Sequence, residues 1–270
     1  MSARLVDPWG RFWSSKEDLD SVYASSPTVA AKIRRYLPAG ARRVLEVGAG
    51  TGRDAAGLAA HGLHAVALDA SPASLALIGR AHPGLAGRGI VGGDALHLPF
   101  SDDTFDAVFH QGVLEHFGNP SAFLAENYRV TRPGGLLVVD VPQKYHPWTL
   151  LKRALLRFDR WFAGWETEFT VAELERAVRS VGFEVVDSYG DWMVPSLGYR
   201  LLREAAKKVS LPLPLRPRGP AALRRAREAA RARVLAPRAA RYLAHTIGVV
   251  ARRPAGVTAR EPARSVLREP

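Results

Sequence analysis

Residues 43–52 read RVLEVGAGTG. A short apolar run ends there in three glycines at alternate positions, Gly48, Gly50 and Gly52. Such a run suits a buried strand that turns sharply at its end. Residues 52–61 (GRDAAGLAAH) then suit a helix. A strand, a glycine turn and a helix in succession restrict a chain to few architectures. The rest of the sequence narrows them further.

Strand-like runs recur at 64–69 (HAVALD), 88–92 (RGIVG), 105–110 (FDAVFH), 136–141 (LLVVDV), 183–189 (FEVVDSY) and 246–251 (TIGVVA). Helix starts lie between them. Ser71-Pro72 and Asn119-Pro120 each pair a capping side chain with proline in the first turn, and the second helix should run to about Val130. Thr170 and Glu173 form a capping box before a helix reaching about Val181. Strands that alternate with helices and are apolar on both faces predict an α/β fold, a doubly wound and mostly parallel sheet. Its ligands belong outside the carboxyl ends of the strands.

Asp69 ends the second run, 21 residues after Gly48. An acidic side chain there can accept hydrogen bonds from both ribose hydroxyls. The dinucleotide fingerprint G-x-G-x-x-G does not fit, because its third glycine would fall on Arg53. Glu46 points the same way: a carboxylate beside the loop repels a pyrophosphate and suits a ligand carrying a positive amino group. The readings of Glu46 as a surface charge, of Asp69 as a helix cap and of Asp94 as a turn former remain open on these grounds alone.

The segment VLEVGAGTGRDAAGLA resembles the first motif of class I S-adenosylmethionine-dependent methyltransferases. The resemblance continues in order through VALDAS (66–71), GDALHLPF (93–100), FDAVFHQGVLEHF (105–117) and RVTRPGGLLVVDVP (129–142), covering roughly residues 40–190. It is nearest to the branch that includes ubiquinone and menaquinone biosynthesis enzymes. It implies a Rossmann-like sheet of seven strands, the last antiparallel, with TIGVVA in that place. It implies S-adenosyl-L-methionine as cofactor, its methionine half lined by Gly48, Gly50 and Gly52, with Glu46 near the amino group. Asp69 and the adjoining Ala70 would then meet the ribose, Asp94 and Ala95 the adenine, and Gln111 the methionine end. The family more often joins its sixth and seventh strands by a close hairpin; here residues 191–243 intervene.

Methyl transfer from a sulfonium leaves a neutral thioether, so a base is needed only where the acceptor must lose a proton. His110 and His146, after the fourth and fifth strands, are the candidate bases, although each also suits a structural histidine. His116 reads as a packing or capping residue. No grouping has metal-ligand spacing, so no metal is expected. The stretch 146–165 holds Trp148, Trp161 and Trp165 and would cover an acceptor pocket, or merely pack as a helical cap.

The net charge of +12 is uneven: residues 200–270 hold 18 Lys or Arg against 4 Asp or Glu, while the remainder is slightly acidic. A basic tract can attract nucleic acid, anionic lipid or an acidic substrate, or simply be a solvated helix. No nucleic-acid module is recognisable, so a nucleic-acid partner is disfavoured and a small-molecule methyl acceptor expected: a natural product, lipid-linked sugar or quinone precursor. The alternatives are an RNA or protein methyltransferase docking through residues 200–243, or a cofactor-binding protein at an anionic membrane surface. There is no cysteine, and no apolar run resembles a signal peptide or membrane span, so a cytoplasmic location is expected. The expected organisation is a helical lid over 1–37, an α/β core over 38–190 with a Trp-rich cap at 142–169, a basic helical insertion over 191–243, the last strand at 244–253 and a disordered tail at 254–270.

Overall fold

The computed structural model describes residues 8–16, 19, 22, 28–87, 89–157, 166–211, 213–214 and 220–256. Seven strands form one sheet: β1 (Arg43–Val47), β2 (His64–Asp69), β3 (Ile90–Gly92), β4 (Phe105–Gln111), β5 (Thr131–Pro142), β6 (Glu184–Asp191) and β7 (Thr246–Arg252). Their order is β3-β2-β1-β4-β5-β7-β6. The pairs β1·β2, β1·β4, β2·β3 and β4·β5 are parallel. β7 runs antiparallel between β5 and β6.

The helices come from the signals that the sequence carries. α3 (Arg53–Ala60) follows the glycine turn. α4 (Pro72–Ala81) starts with the Ser71 hydroxyl accepting from the Ser74 N–H. α5 (Pro120–Val130) starts with Asn119 accepting from the Ala122 N–H. α7 (Val171–Ser180) has a full capping box: Thr170 and Glu173 each satisfy the other's backbone N–H. α2 (Thr28–Tyr36) inserts Val29 and Ile33 into the core.

Apolar side chains cover both faces of the sheet, as the alternation predicts. Leu45, Val47, Val108, Val139 and Val249 meet α5 and α7 through Phe123, Leu124, Leu174 and Val178. Val44, Ala107, Phe109, Leu136 and Val250 form the other layer with Val29, Ile33, Leu58 and Ile78.

One boundary differs from expectation. β5 begins at Thr131 rather than Leu136, so Pro133-Gly134-Gly135 lies inside the strand. The register against β4 slips there, and the Gly134 N–H donates to the Arg253 carbonyl at 2.8 Å. A bulge absorbs the proline's missing donor. The insertion before β7 holds α8 (Leu197–Lys208), α9 (Ala221–Leu235) and a 3-10 turn at Arg238–Leu243, and β6 and β7 still pair directly. The Trp192 indole donates to the Arg231 carbonyl at 3.1 Å, tying α9 to the end of β6. The proposed tail from residue 257 on, and Trp161 and Trp165 of the cap, lie outside the described residues.

Candidate functional site

The glycine turn is held by charge and by shape. Gly48 and Gly50 have φ of 66° and 53°, in the left-handed region where a side chain is strained. A Cβ on Gly48 would lie 2.7 Å from Val113, in the loop after β4, and one on Gly50 would lie 2.7 Å from the ring of Trp13. The loop is therefore in close contact with two neighbours that a larger residue would displace.

Asp69 fastens this turn to β2. One carboxylate oxygen accepts from the Gly50 N–H at 2.8 Å, the other from the Ser71 N–H at 2.8 Å. The Ser74 hydroxyl donates to the Gly50 carbonyl at 2.8 Å, so α4 grips the same residue. Each carboxylate oxygen keeps a second acceptor position. Ala70 follows as an exposed residue.

Glu46 is buried and accepts from the Ala55 N–H at 2.9 Å, in the first turn of α3. Burial, then the charge of Asp54, pushes its carboxyl well above the usual range, with Asp69 adding to the effect. Three carboxylates thus gather around one glycine turn. The Arg53 guanidinium donates to the Leu19 and Val22 carbonyls and pins the N-terminal segment. This set favours a cationic ligand and opposes a pyrophosphate. A nucleoside bearing an amino acid and a sulfonium fits it.

Asp94 lies beyond β3 in an exposed turn, accepting from the Leu96 N–H at 2.9 Å and from His97 at 3.0 Å. His97, then the Leu96 N–H, lowers its carboxyl below the usual range. Ala95 is half-buried against the core. Gln111 ends β4 opposite Asp140. Burial and the Asp191 charge raise Asp140 to about 8.

Of the two candidate bases, His146 follows β5 as expected, while His110 lies inside β4 rather than after it. His110 lies within β4, fully buried, its ring edge-on to Phe123 at 4.8 Å and neither nitrogen bonded. Burial lowers it to about 3, which keeps the imidazole neutral but makes it a poor proton acceptor. His146 precedes α6 (Pro147–Arg157), and its Nδ1 accepts from the Trp148 N–H at 3.2 Å, as a cap does. Its ring meets His245 edge-on at 5.1 Å.

Residues not singled out from the sequence gather nearby. Glu115, in the 3-10 turn Leu114–His116, is buried. The ion pair Lys152–Glu166 is buried too. Helix α1 (Pro8–Ser14) connects the two parts of the site: Trp13 lies on Gly50, while Trp9 packs edge-on against His116 at 4.8 Å. The sequence signal for Glu115 is a carboxylate and a histidine set between the apolar Leu114 and Phe117. Among the described residues, no His, Asp and Glu side chains group as metal ligands.

The sheet order, with its single antiparallel strand, and the glycine turn define a Rossmann-like methyltransferase fold. A solved S-adenosylmethionine-dependent methyltransferase from Thermotoga maritima has this fold, with TM-score 0.58 and 18% identity over 91% of this chain and 98% of that one. So does the [4+2]-cyclase SpnF, with TM-score 0.56 and 23% identity over 85% and 80%. Residues 45–139 match the methyltransferase domain family. The demethylmenaquinone methyltransferase of Clavibacter sepedonicus is 40% identical over 149 residues, which is 52% of this chain and 61% of that protein. Across the first three curated relatives, all demethylmenaquinone methyltransferases, the chain covers between 39% and 61% of their length. The chain carries a methyltransferase domain of the class I S-adenosylmethionine-dependent family.

Proposed function

We propose that the protein transfers a methyl group from S-adenosyl-L-methionine to a small, ring-bearing acceptor of the quinone-precursor type. The observation that carries this reading is the carboxylate-lined glycine turn, with the Gly50 N–H bonded to Asp69. Its location at the carboxyl ends of β1 and β2, within the segment that matches the methyltransferase domain, agrees with it. The cofactor supplies a methyl group on a positively charged sulfur. Glu46 and Asp69 hold and orient it, Asp94 and the Ala95 backbone border the adenine, and Gln111 borders the methionine end. Trp9, Trp13 and Phe12 of α1 keep water from the reacting centre.

The acceptor class rests on the relatives' names and on aromatic side chains near the turn after β4: Trp9 packs on His116, and Phe117 stacks on Phe123 at 4.5 Å. A specific observation favours peripheral contact with an anionic membrane. Leu201, Leu202, Val209 and Leu211 are exposed on and beyond α8, among Arg200, Arg203, Lys207 and Lys208. Apolar side chains amid cations fit a lipid surface better than an RNA, which asks for stacking aromatics. No described helix is long and apolar enough to cross a membrane. A cytoplasmic location agrees with a supply of the cofactor.

The test is to incubate the protein with S-adenosylmethionine and 1,4-naphthohydroquinone and to follow S-adenosylhomocysteine formation. Acceptor-dependent turnover is expected; formation that ignores the acceptor, or none, would defeat the reading.

A further inference from the structure

The turn after β4 carries a carboxyl that the cofactor does not need. Glu115 is 3% exposed, and its Oε2 has no hydrogen-bond partner. Burying an unsatisfied carboxyl oxygen is costly, and no structural bond repays it here. Its position is defined from several sides. Val113, two residues earlier, rests on Gly48 of the glycine turn. Gly112 leaves bare backbone beside the carboxyl, where an added Cβ would come within 3.6 Å of Oε1. The Glu115 carbonyl accepts from the Thr167 N–H at 2.6 Å, which draws the segment after α6 against the turn. His116 Nε2 stands 3.9 Å from Oε1, and the far face of His116 carries Trp9.

We infer that Glu115 is the catalytic base, taking the proton from a ring hydroxyl of the acceptor through Oε2. This rests on the methyltransferase reading above and assigns the acceptor chemistry within it: a phenol or hydroquinone. The acceptor's O–H bond breaks, its electron pair stays on oxygen, and the proton ends on Glu115. The methyl carbon bonds to that oxygen or to the ring carbon conjugated with it, and its bond to sulfur breaks with the pair left on sulfur. Where carbon is methylated, the displaced ring proton passes to water. Glu115 returns its own proton to solvent after release.

The charged surroundings suit a base that works near neutrality. Burial raises Glu115 to about 8; Glu166 and Asp140 push the same way, and Lys152 opposes them. His116, whose ring is depressed by burial, adds no fixed positive charge. A carboxyl so raised is a stronger base than an exposed one and lies nearer to a phenol. His110 offers none of this, because its imidazole is packed against Phe123.

The experiment compares wild type, Glu115→Gln and Glu115→Asp with S-adenosylmethionine and 1,4-naphthohydroquinone between pH 6 and 9. S-adenosylhomocysteine affinity and melting temperature are measured on each variant. Wild-type kcat should rise with pH and level off above about 8. Glu115→Gln should lose about 100-fold in kcat or more, with KM and S-adenosylhomocysteine affinity near wild type and the pH rise gone. Glu115→Asp should recover part of kcat and keep the pH rise. Binding of 4-methoxy-1-naphthol, read by absorbance in the S-adenosylhomocysteine complex, should give a phenolate band in wild type that Glu115→Gln lacks. Wild-type kcat and an unchanged pH profile in Glu115→Gln would overturn the assignment alone. A wild-type protein that binds S-adenosylhomocysteine yet methylates no ring hydroxyl compound, and gives no phenolate band, would overturn it together with the acceptor class.

Discussion

The backbone N–H of Gly50 donates to the carboxylate of Asp69 at 2.8 Å, across the gap between the first two strands. One side chain therefore sets the conformation of the glycine turn and also presents acceptors where a ribose would lie. Asp69→Ala removes both. It should weaken S-adenosylhomocysteine binding about 100-fold, the loss of charged hydrogen bonds worth about 3 kcal/mol. Calorimetry on a variant with a wild-type far-UV spectrum checks this; unchanged affinity would separate Asp69 from the ligand.

Trp13 lies against Gly50, so a ligand that reaches the turn must alter its surroundings. Titration with S-adenosylhomocysteine should change the tryptophan emission, and Trp13→Phe should remove most of that change. An equal change in the variant would mean that another tryptophan reports the binding.

Acidity acts on stability from two directions. Glu115 and Asp140 are both raised to about 8 in the fold. Between their ordinary values and about pH 8 the folded protein keeps protons that the unfolded chain has shed. Their contribution is whole below about pH 4 and is lost as pH rises through 8. His110 and His245, lowered to about 3, do the reverse: their contribution is whole above about pH 6.5 and is lost as pH falls toward 3. The urea midpoint should thus decline between about pH 6.5 and 8, level off above that, and decline less in Glu115→Gln. An identical decline in both would mean that Glu115 does not titrate there.

Thr170 and Glu173 cap α7 in both directions. Thr170→Ala should lower stability by about 1 kcal/mol, read as a lower urea midpoint at an unchanged slope, while Thr170→Ser should restore most of it. No shift in midpoint would contradict the capping role.

The local rules read much of this fold in advance. β1 and β2 begin and end where the apolar runs do, and α5 ends at Val130 as its proline start and length suggest. Those signals are local, so a linear sequence carries them. The bulge in β5 is not local: Pro133-Gly134-Gly135 reads as a break, yet Arg253, which follows β7, supplies the carbonyl that keeps Gly134 paired. The site divides likewise. Glu46, the glycines and Asp69 lie on one strand–turn–strand path and can be read by spacing. Glu115 acquires its character from burial first and then from Glu166, with Lys152 opposing, and these come together only when the chain folds. His110 has a base's chemistry in isolation and loses it to the burial that the sheet imposes.

Contact with a membrane surface would follow from Leu201 and Leu202 among their cations. The protein should co-sediment with phosphatidylglycerol-containing vesicles, less so as salt rises, and Leu201→Asp with Leu202→Asp should reduce this. Equal binding to neutral vesicles, or unaltered binding by the double variant, would contradict it.

The most direct test is a calorimetric titration of the purified full chain with S-adenosylhomocysteine, beside a matched titration with NADH. One saturable site for the sulfur nucleoside and no heat from the dinucleotide is the predicted result. The reverse pattern would mean that the carboxylates around Gly50 do not select a cationic ligand.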